Sequence, residues 1–368
     1  MSGMMLLADW DVLIRVRGGG RPCRVQARCV ASRARGDSCR AAHARVDHAE
    51  SAGSGHFVAC RLRIPDLLAG EARTAEELAA ATGAQPAALH RLLRALTGLD
   101  VVTVEGDRFA LTSLGRSLCA SPHSAAESAI FMGTPAVWSA WGTLGDAVLD
   151  GQAAFRHAHG TGLFGYLPAH PDEMAAFQAL MSAQSRLQIP AVLAAYDFTP
   201  ARTIVDVGGG QGALLPRCWP RTPRPVACFS TSRMWWPVRA LPWPRRAAMP
   251  GSTRDFFDLV PDGGDTYVLK LVLHDWDDAR AARILGNIRN AIIPGGRLII
   301  IEAVMPPGDD YHHAKFLDVN MLVLSDGGRE RTEEEYRTLL DGAGFTLTRV
   351  VPTAAPLSVV EAIPRRTG

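Results

Sequence analysis

The residues able to do chemistry concentrate in the carboxyl-terminal half of this 368-residue chain. His274 stands in Leu269-Lys270-Leu271-Val272-Leu273-His274-Asp275-Trp276-Asp277-Asp278, at the carboxyl end of an apolar strand expected over 267–273. An imidazole near its reference pKa of ~6.5 takes up a proton at neutral pH, so His274 is a candidate general base. Taken alone, it reads more simply as a satisfied surface histidine. The second feature is Val205-Asp206-Val207-Gly208-Gly209-Gly210-Gln211-Gly212. Glycines directly after a buried strand let the backbone approach a ligand, and open α/β sheets bind ligands at these carboxyl ends. The cluster alone also fits a tight turn, or a dinucleotide site, for which G-x-G-x-x-G is the better pattern. Glu302 ends an apolar strand over 298–301, and Glu330 lies in Gly327-Gly328-Arg329-Glu330-Arg331-Thr332. On residue type alone both read as solvated loop acids.

The surrounding pattern supplies elements to position them. Residues 57–68 suit a short helix. Thr74-Ala75-Glu76-Glu77 is a capping box, with Gly83 as the stop. Pro86 suits the first turn of the next helix, whose Leu89, Leu92, Leu93 and Leu96 form an i, i+3, i+4, i+7 stripe. Val101–Val104 and Arg108–Leu111 flank a Glu105-Gly106-Asp107 turn and predict a hairpin. Two short helices and a hairpin make a winged-helix unit. Residues 120–195 read as mostly helical and rich in aromatics and Met, including Trp141 and Met181. Such density is more often core or dimer interface than ligand wall. From about 200 the pattern alternates: a buried strand over 203–207, a strand over 267–273, a helix over 277–290 and a strand over 297–301. That predicts an α/β domain with a parallel sheet covered by helices.

The 269–278 run resembles the L-K-x-x-x-H-D-W-x-D signature of the plant-type and bacterial polyketide-type O-methyltransferases. The glycine cluster resembles the methionine-binding loop of class I methyltransferases, and residues 327–332 resemble the family's G-G-x-E-R-T. The resemblance spans roughly 56–215 and 254–362. It implies a Rossmann-like catalytic domain that uses S-adenosylmethionine, behind an N-terminal winged-helix dimerisation domain, and hence a homodimer. It implies His274 as the base, flanked by Glu302 and Glu330, since a carboxylate beside an imidazole orients it and stabilises its charged form. Asp206, Gly208, Gly210, Asp255, Phe256 and Lys270 match cofactor positions. Asn320 and Met321 match substrate positions, with Trp141 and Met181 added as candidate substrate contacts. The implied acceptor is a hydroxylated small molecule, aromatic or polyketide-like.

The expected domains are therefore a disordered arm over 1–55, a helical dimerisation and substrate-covering domain over 56–195, and a catalytic domain over 196–368. Residues 216–253 break the pattern. They hold Trp219, Trp235, Trp236 and Trp243, and prolines that block both helix and central strand. The acid that binds the cofactor ribose falls at or near Thr231 and is missing, a loss of about 1.5–3 kcal/mol in binding. Our hypothesis for the stretch is a local reading-frame shift, because GC-rich codons read one base over can, in one choice of back-translation, spell a family-like helix, strand and Phe-Asp-Leu-Pro. A catalytically impaired relative is thus one alternative reading. A winged-helix DNA-binding regulator is a second, but its recognition helix offers only His90, Arg91 and Arg94, and a net charge of +2 gives no basic footprint for nucleic acid. No apolar run approaches the ~20 residues that span a bilayer, and no signal-peptide layout is seen, so a cytoplasmic location is expected. Seven cysteines without a C-x-x-C pair point to no metal site.

Overall fold

The computed structural model describes residues 49–121, 124–210, 212–215, 228–230 and 255–365, and these divide between Pro135 and Ala136 into two compact units. The arm over 1–48 and most of 216–253, Thr231 included, lie outside the described residues.

In the first unit α1 (Ala49–Arg61) starts before His56, earlier than the sequence suggested. The Thr74 capping box forms as expected and opens α2 (Ala75–Thr82), which Gly83 closes. Gln85 caps α3 (Pro86–Gly98), whose Leu89, Leu93 and Leu96 are buried and whose Leu92 packs at the edge of that core. The hairpin pairs β2 (Val102–Glu105) with β3 (Arg108–Leu111), and the two-residue β1 (Arg73–Thr74) adds a third strand. This is the expected winged-helix arrangement.

The second unit is built on a six-stranded sheet. Its strands are β4 (Ile204–Val207), β5 (Cys228–Ser230), β6 (Thr266–Lys270), β7 (Arg297–Glu302), β10 (Phe345–Pro352) and β11 (Ser358–Pro364), in the order β10-β11-β7-β6-β4-β5. β5, β4, β6 and β7 run parallel, while β11 and β10 are antiparallel. One expectation is corrected here: the proline-rich stretch does contribute a strand, β5, because Cys228-Phe229-Ser230 itself contains no proline and pairs with β4. β5 and β6 flank β4 on opposite sides, so chain order reverses at β4, where such sheets open a ligand crevice.

Strand residues alternate between two faces. Val205, Val207, Tyr267, Leu269, Leu298 and Ile300 pack under α6 (Asp278–Ala291) and α8 (Glu333–Gly342). Ile204, Val268, Ile299 and Ile301 pack with Ile189 and Val192 of α5 (Pro171–Ala195). The helices between 136 and 195, grouped with the first domain on sequence, therefore belong to the second compact unit. The same alternation places Asp206 and Lys270 on the α5 face and Glu302 on the α8 face.

Candidate active site

The apolar strand around 267–273 is shorter than its sequence suggests. β6 ends at Lys270, and the Leu271 N–H makes a last bond to the Ile301 carbonyl at 3.1 Å. Leu271 then takes a left-handed φ of 52°, which turns the chain out of the sheet. His274 consequently sits on a 3₁₀ turn, Leu273–Asp275, beyond the strand rather than at its end.

That turn is held by its backbone. Glu302 Oε1 accepts the N–H groups of Val272 at 2.9 Å, Leu273 at 2.6 Å and His274 at 3.3 Å. The Tyr336 hydroxyl, on α8, donates to the other oxygen of Glu302. The two acids around the imidazole thus do different work. Glu330 bonds His274 Nδ1 directly, at 2.7 Å, whereas Glu302 grips the peptide groups that carry the histidine. Close approach is required as well: a Cβ on Gly328 would lie 2.4 Å from the His274 carbonyl oxygen. That carbonyl accepts the Arg329 N–H at 2.8 Å.

Sequence reasoning missed Asp275 as part of this cluster. Its carboxylate lies 3.8 Å from His274 Nε2. Burial alone would discharge the imidazole, but Glu330, Asp275 and Glu302 outweigh it and lift its pKa to about 10. Burial raises Asp275 to about 6, against the pull of the imidazole. The sequence expectation of a histidine near ~6.5 is therefore corrected: three surrounding acids make it a much stronger base. Glu330 Oε2 finds no hydrogen-bond partner among the described residues.

A cavity of about 170 Å³ opens at the carboxyl ends of β4 and β6. Asp206, Gly208, Gly209, Gly210 and Lys270 line one part, and Phe164, Phe177, Met181, Phe256 and Trp276 line another. Gly208 has φ 76°, and a Cβ there would meet Val272 at 2.6 Å, so the loop's approach to the turn that follows Val272 depends on glycine. Lys270 Nζ donates to Ser185 Oγ of α5 at 3.2 Å. Burial lowers Lys270 to about 8, and Asp206 partly offsets this; burial raises Asp206 to about 7, and Lys270 partly offsets that. Asp206 Oδ1 is buried without a partner among the described residues. An unsatisfied carboxylate oxygen, a backbone stripped of side chains and a wall of rings suit a ligand with a polar, partly cationic chain and a flat base.

Five of the six cofactor positions expected from sequence, namely Asp206, Gly208, Gly210, Phe256 and Lys270, line this cavity. Asp255 is not among its walls and instead accepts the Phe257 N–H at 3.0 Å. Of the substrate positions, Met181 lines it, whereas Trp141, Asn320 and Met321 do not. Trp141 Nε1 and Asn320 Oδ1 are buried polar atoms without partners among the described residues. The Met321 sulfur lies 3.6 Å from Ser325 Oγ. His274 does not line the cavity, but the next two residues, Asp275 and Trp276, do.

Comparison with known proteins gives this geometry a setting. Residues 141–346 match the O-methyltransferase domain, and residues 56–121 match the O-methyltransferase dimerisation domain. The chain is 39% identical to a phenazine O-methyltransferase of Lysobacter antibioticus, over 84% of this chain and 91% of that protein. It is 38% identical to a 3-amino-4-hydroxybenzoate 4-O-methyltransferase of Streptomyces cremeus, over 82% of this chain and 83% of the relative. An O-methyltransferase from neocarzinostatin biosynthesis, solved with S-adenosylmethionine and 2-hydroxy-5-methyl naphthoic acid, superposes with a TM-score of 0.71 at 30% identity. That match covers 85% of this chain and 96% of the solved one.

Proposed function

The chain belongs to the S-adenosylmethionine-dependent O-methyltransferase family, and from that premise we propose that His274 is the general base that prepares a flat phenolic or polyketide-like hydroxyl for methylation. The observation that carries this reading is the His274–Glu330 contact at 2.7 Å beside a cavity walled by glycines and aromatic rings. Bound S-adenosylmethionine supplies an electrophilic methyl group on a sulfonium. Asp206, the Gly208–Gly210 backbone and Lys270 would hold its polar portion, and Phe256 and Trp276 its flat ring. Glu330 holds the Nδ1 side of the imidazole, which leaves Nε2 to take the acceptor's proton. The surrounding acids raise the basicity of the imidazole, which favours its taking a proton from a phenolic hydroxyl. Holding the acceptor in line supplies much of the rest of the rate.

Neither the impaired-relative reading nor the DNA-regulator reading gains support from the comparisons. The related aromatic substrates named above favour a planar hydroxylated acceptor, and a screen of such acceptors by mass spectrometry identifies which one. The decisive variant is His274→Ala. It is expected to lose most turnover while calorimetric binding of S-adenosylmethionine is preserved; full turnover would remove the base assignment. We read residues 216–253 as frame-shifted sequence, which the codons of the gene test directly.

A further inference from the structure

The guanidinium of Arg331 grips the carbonyls of the same turn whose N–H groups Glu302 holds. Its side chain is fully buried, at 0% exposure. Nη1 donates to the Leu273 carbonyl at 3.0 Å, and Nη2 donates to the Trp276 carbonyl at 2.9 Å. These are carbonyls on either side of His274. Nε and Nη2 also reach Asp278 Oδ1, at 3.0 and 2.8 Å. Arg331 follows Glu330 in sequence, and β9 (Arg331–Thr332) pairs with β8 (Val304–Met305), two residues past Glu302. The β8–β9 pairing therefore sets Arg331, with Glu330 just before it, beside the chain two residues past Glu302.

We propose that Arg331 is a positioning residue for methyl transfer: by fixing the carbonyls of Leu273 and Trp276, it keeps the His274 imidazole against Glu330 and aimed at the acceptor. The proposal rests on the assignment of His274 as base. A planar fork reaching two carbonyls and a carboxylate cannot be reproduced by lysine, whose ammonium is a single point charge on a flexible stem. A shift of about 1 Å in a catalytic group can lower turnover by roughly 10²-fold.

The test is Arg331→Lys in the full-length enzyme, with kcat, acceptor KM, calorimetric S-adenosylmethionine binding and the pH dependence of kcat/KM read together. Expected are unchanged cofactor affinity and KM, a fall in kcat of roughly 10²-fold, and an alkaline limb moved toward neutral pH as the imidazole loosens from Glu330. A purely structural arginine would not move the pH limb, so an unmoved limb in a folded Arg331→Lys protein overturns the proposal, whatever its kcat. Should that variant not fold, Asp278→Asn removes the carboxylate that aims the guanidinium. It is expected to show a smaller fall in kcat with the same shift in pH limb, and a wild-type profile there overturns the proposal equally. His274→Ala run in parallel separates the two readings. Full turnover in it defeats the base assignment, whereas an inactive His274→Ala beside a fully active Arg331→Lys defeats only the role of Arg331.

Discussion

The acids around His274 favour its protonated form in the acceptor-free enzyme. Glu330, Asp275 and Glu302 together outweigh burial and lift its pKa to about 10. The three acids thus trade availability of the base for its strength. The sign for activity follows: kcat/KM is expected to rise with pH toward about 10 as the neutral imidazole becomes populated. Glu330→Gln removes an attractive charge and a charged hydrogen bond. Its profile is expected to break at lower pH, with reduced kcat, in initial rates measured across a buffer series; an unmoved break would contradict the ion-pair reading. The sign for stability runs the other way. The folded-state value lies above the unfolded ~6.5, so the imidazole's own contribution to stability is fully present below that pH. This stabilisation is lost as pH rises through about 10.

Among the elements, the ones that aim the site are β7 and α8. β7 places Leu298, Ile300 and Glu302 on one face, and α8 lays Tyr336 over the last of them. A second capping box, Thr332 with Glu335, starts α8 directly after Arg331 and so fixes where Tyr336 falls. Tyr336→Phe deletes the hydroxyl on a carboxylate that is 0% exposed. The variant is expected to lose about 1–3 kcal/mol of stability, because a buried acceptor is left unmet. Urea unfolding checks this: the midpoint should fall with the slope unchanged. A midpoint equal to wild type would mean that water replaces the hydroxyl. Glu335→Ala opens the capping box and is expected to cost about 1 kcal/mol in the same assay.

For the whole molecule, the match of residues 56–121 to a dimerisation domain sets the expectation of a homodimer. Light scattering coupled to size exclusion is expected to give twice the chain mass, and a monomer at all concentrations would contradict it. Cofactor affinity belongs to this scale as well, since the glycine loop, β6, α5 and the aromatic wall all contribute to one cavity. Micromolar binding of S-adenosylmethionine by calorimetry would show that the stretch over 216–253 leaves the cofactor site competent. Among the described residues, no helix is long and apolar enough to cross a membrane.

The sequence alone determined what local rules govern. Continuous apolar runs gave β4 and β7, the leucine stripe gave α3, and the Thr74 box gave the start of α2. Motif spacing brought out His274, Glu302, Glu330 and the glycine loop. Tertiary structure decided what depends on residues distant in the chain. Whether Glu302 touches the imidazole or the backbone depends on which strand face it occupies and on Tyr336 above it. The length of β6 depends on the turn at Leu271, and a leucine carries no sequence signal for a left-handed φ. The strength of His274 as a base comes from acids at 275, 302 and 330, whose combined field exists only once β7 and the turn are packed together. The motif over 327–332 assigned Arg331 no role, which burial and two backbone carbonyls on either side of the histidine supplied.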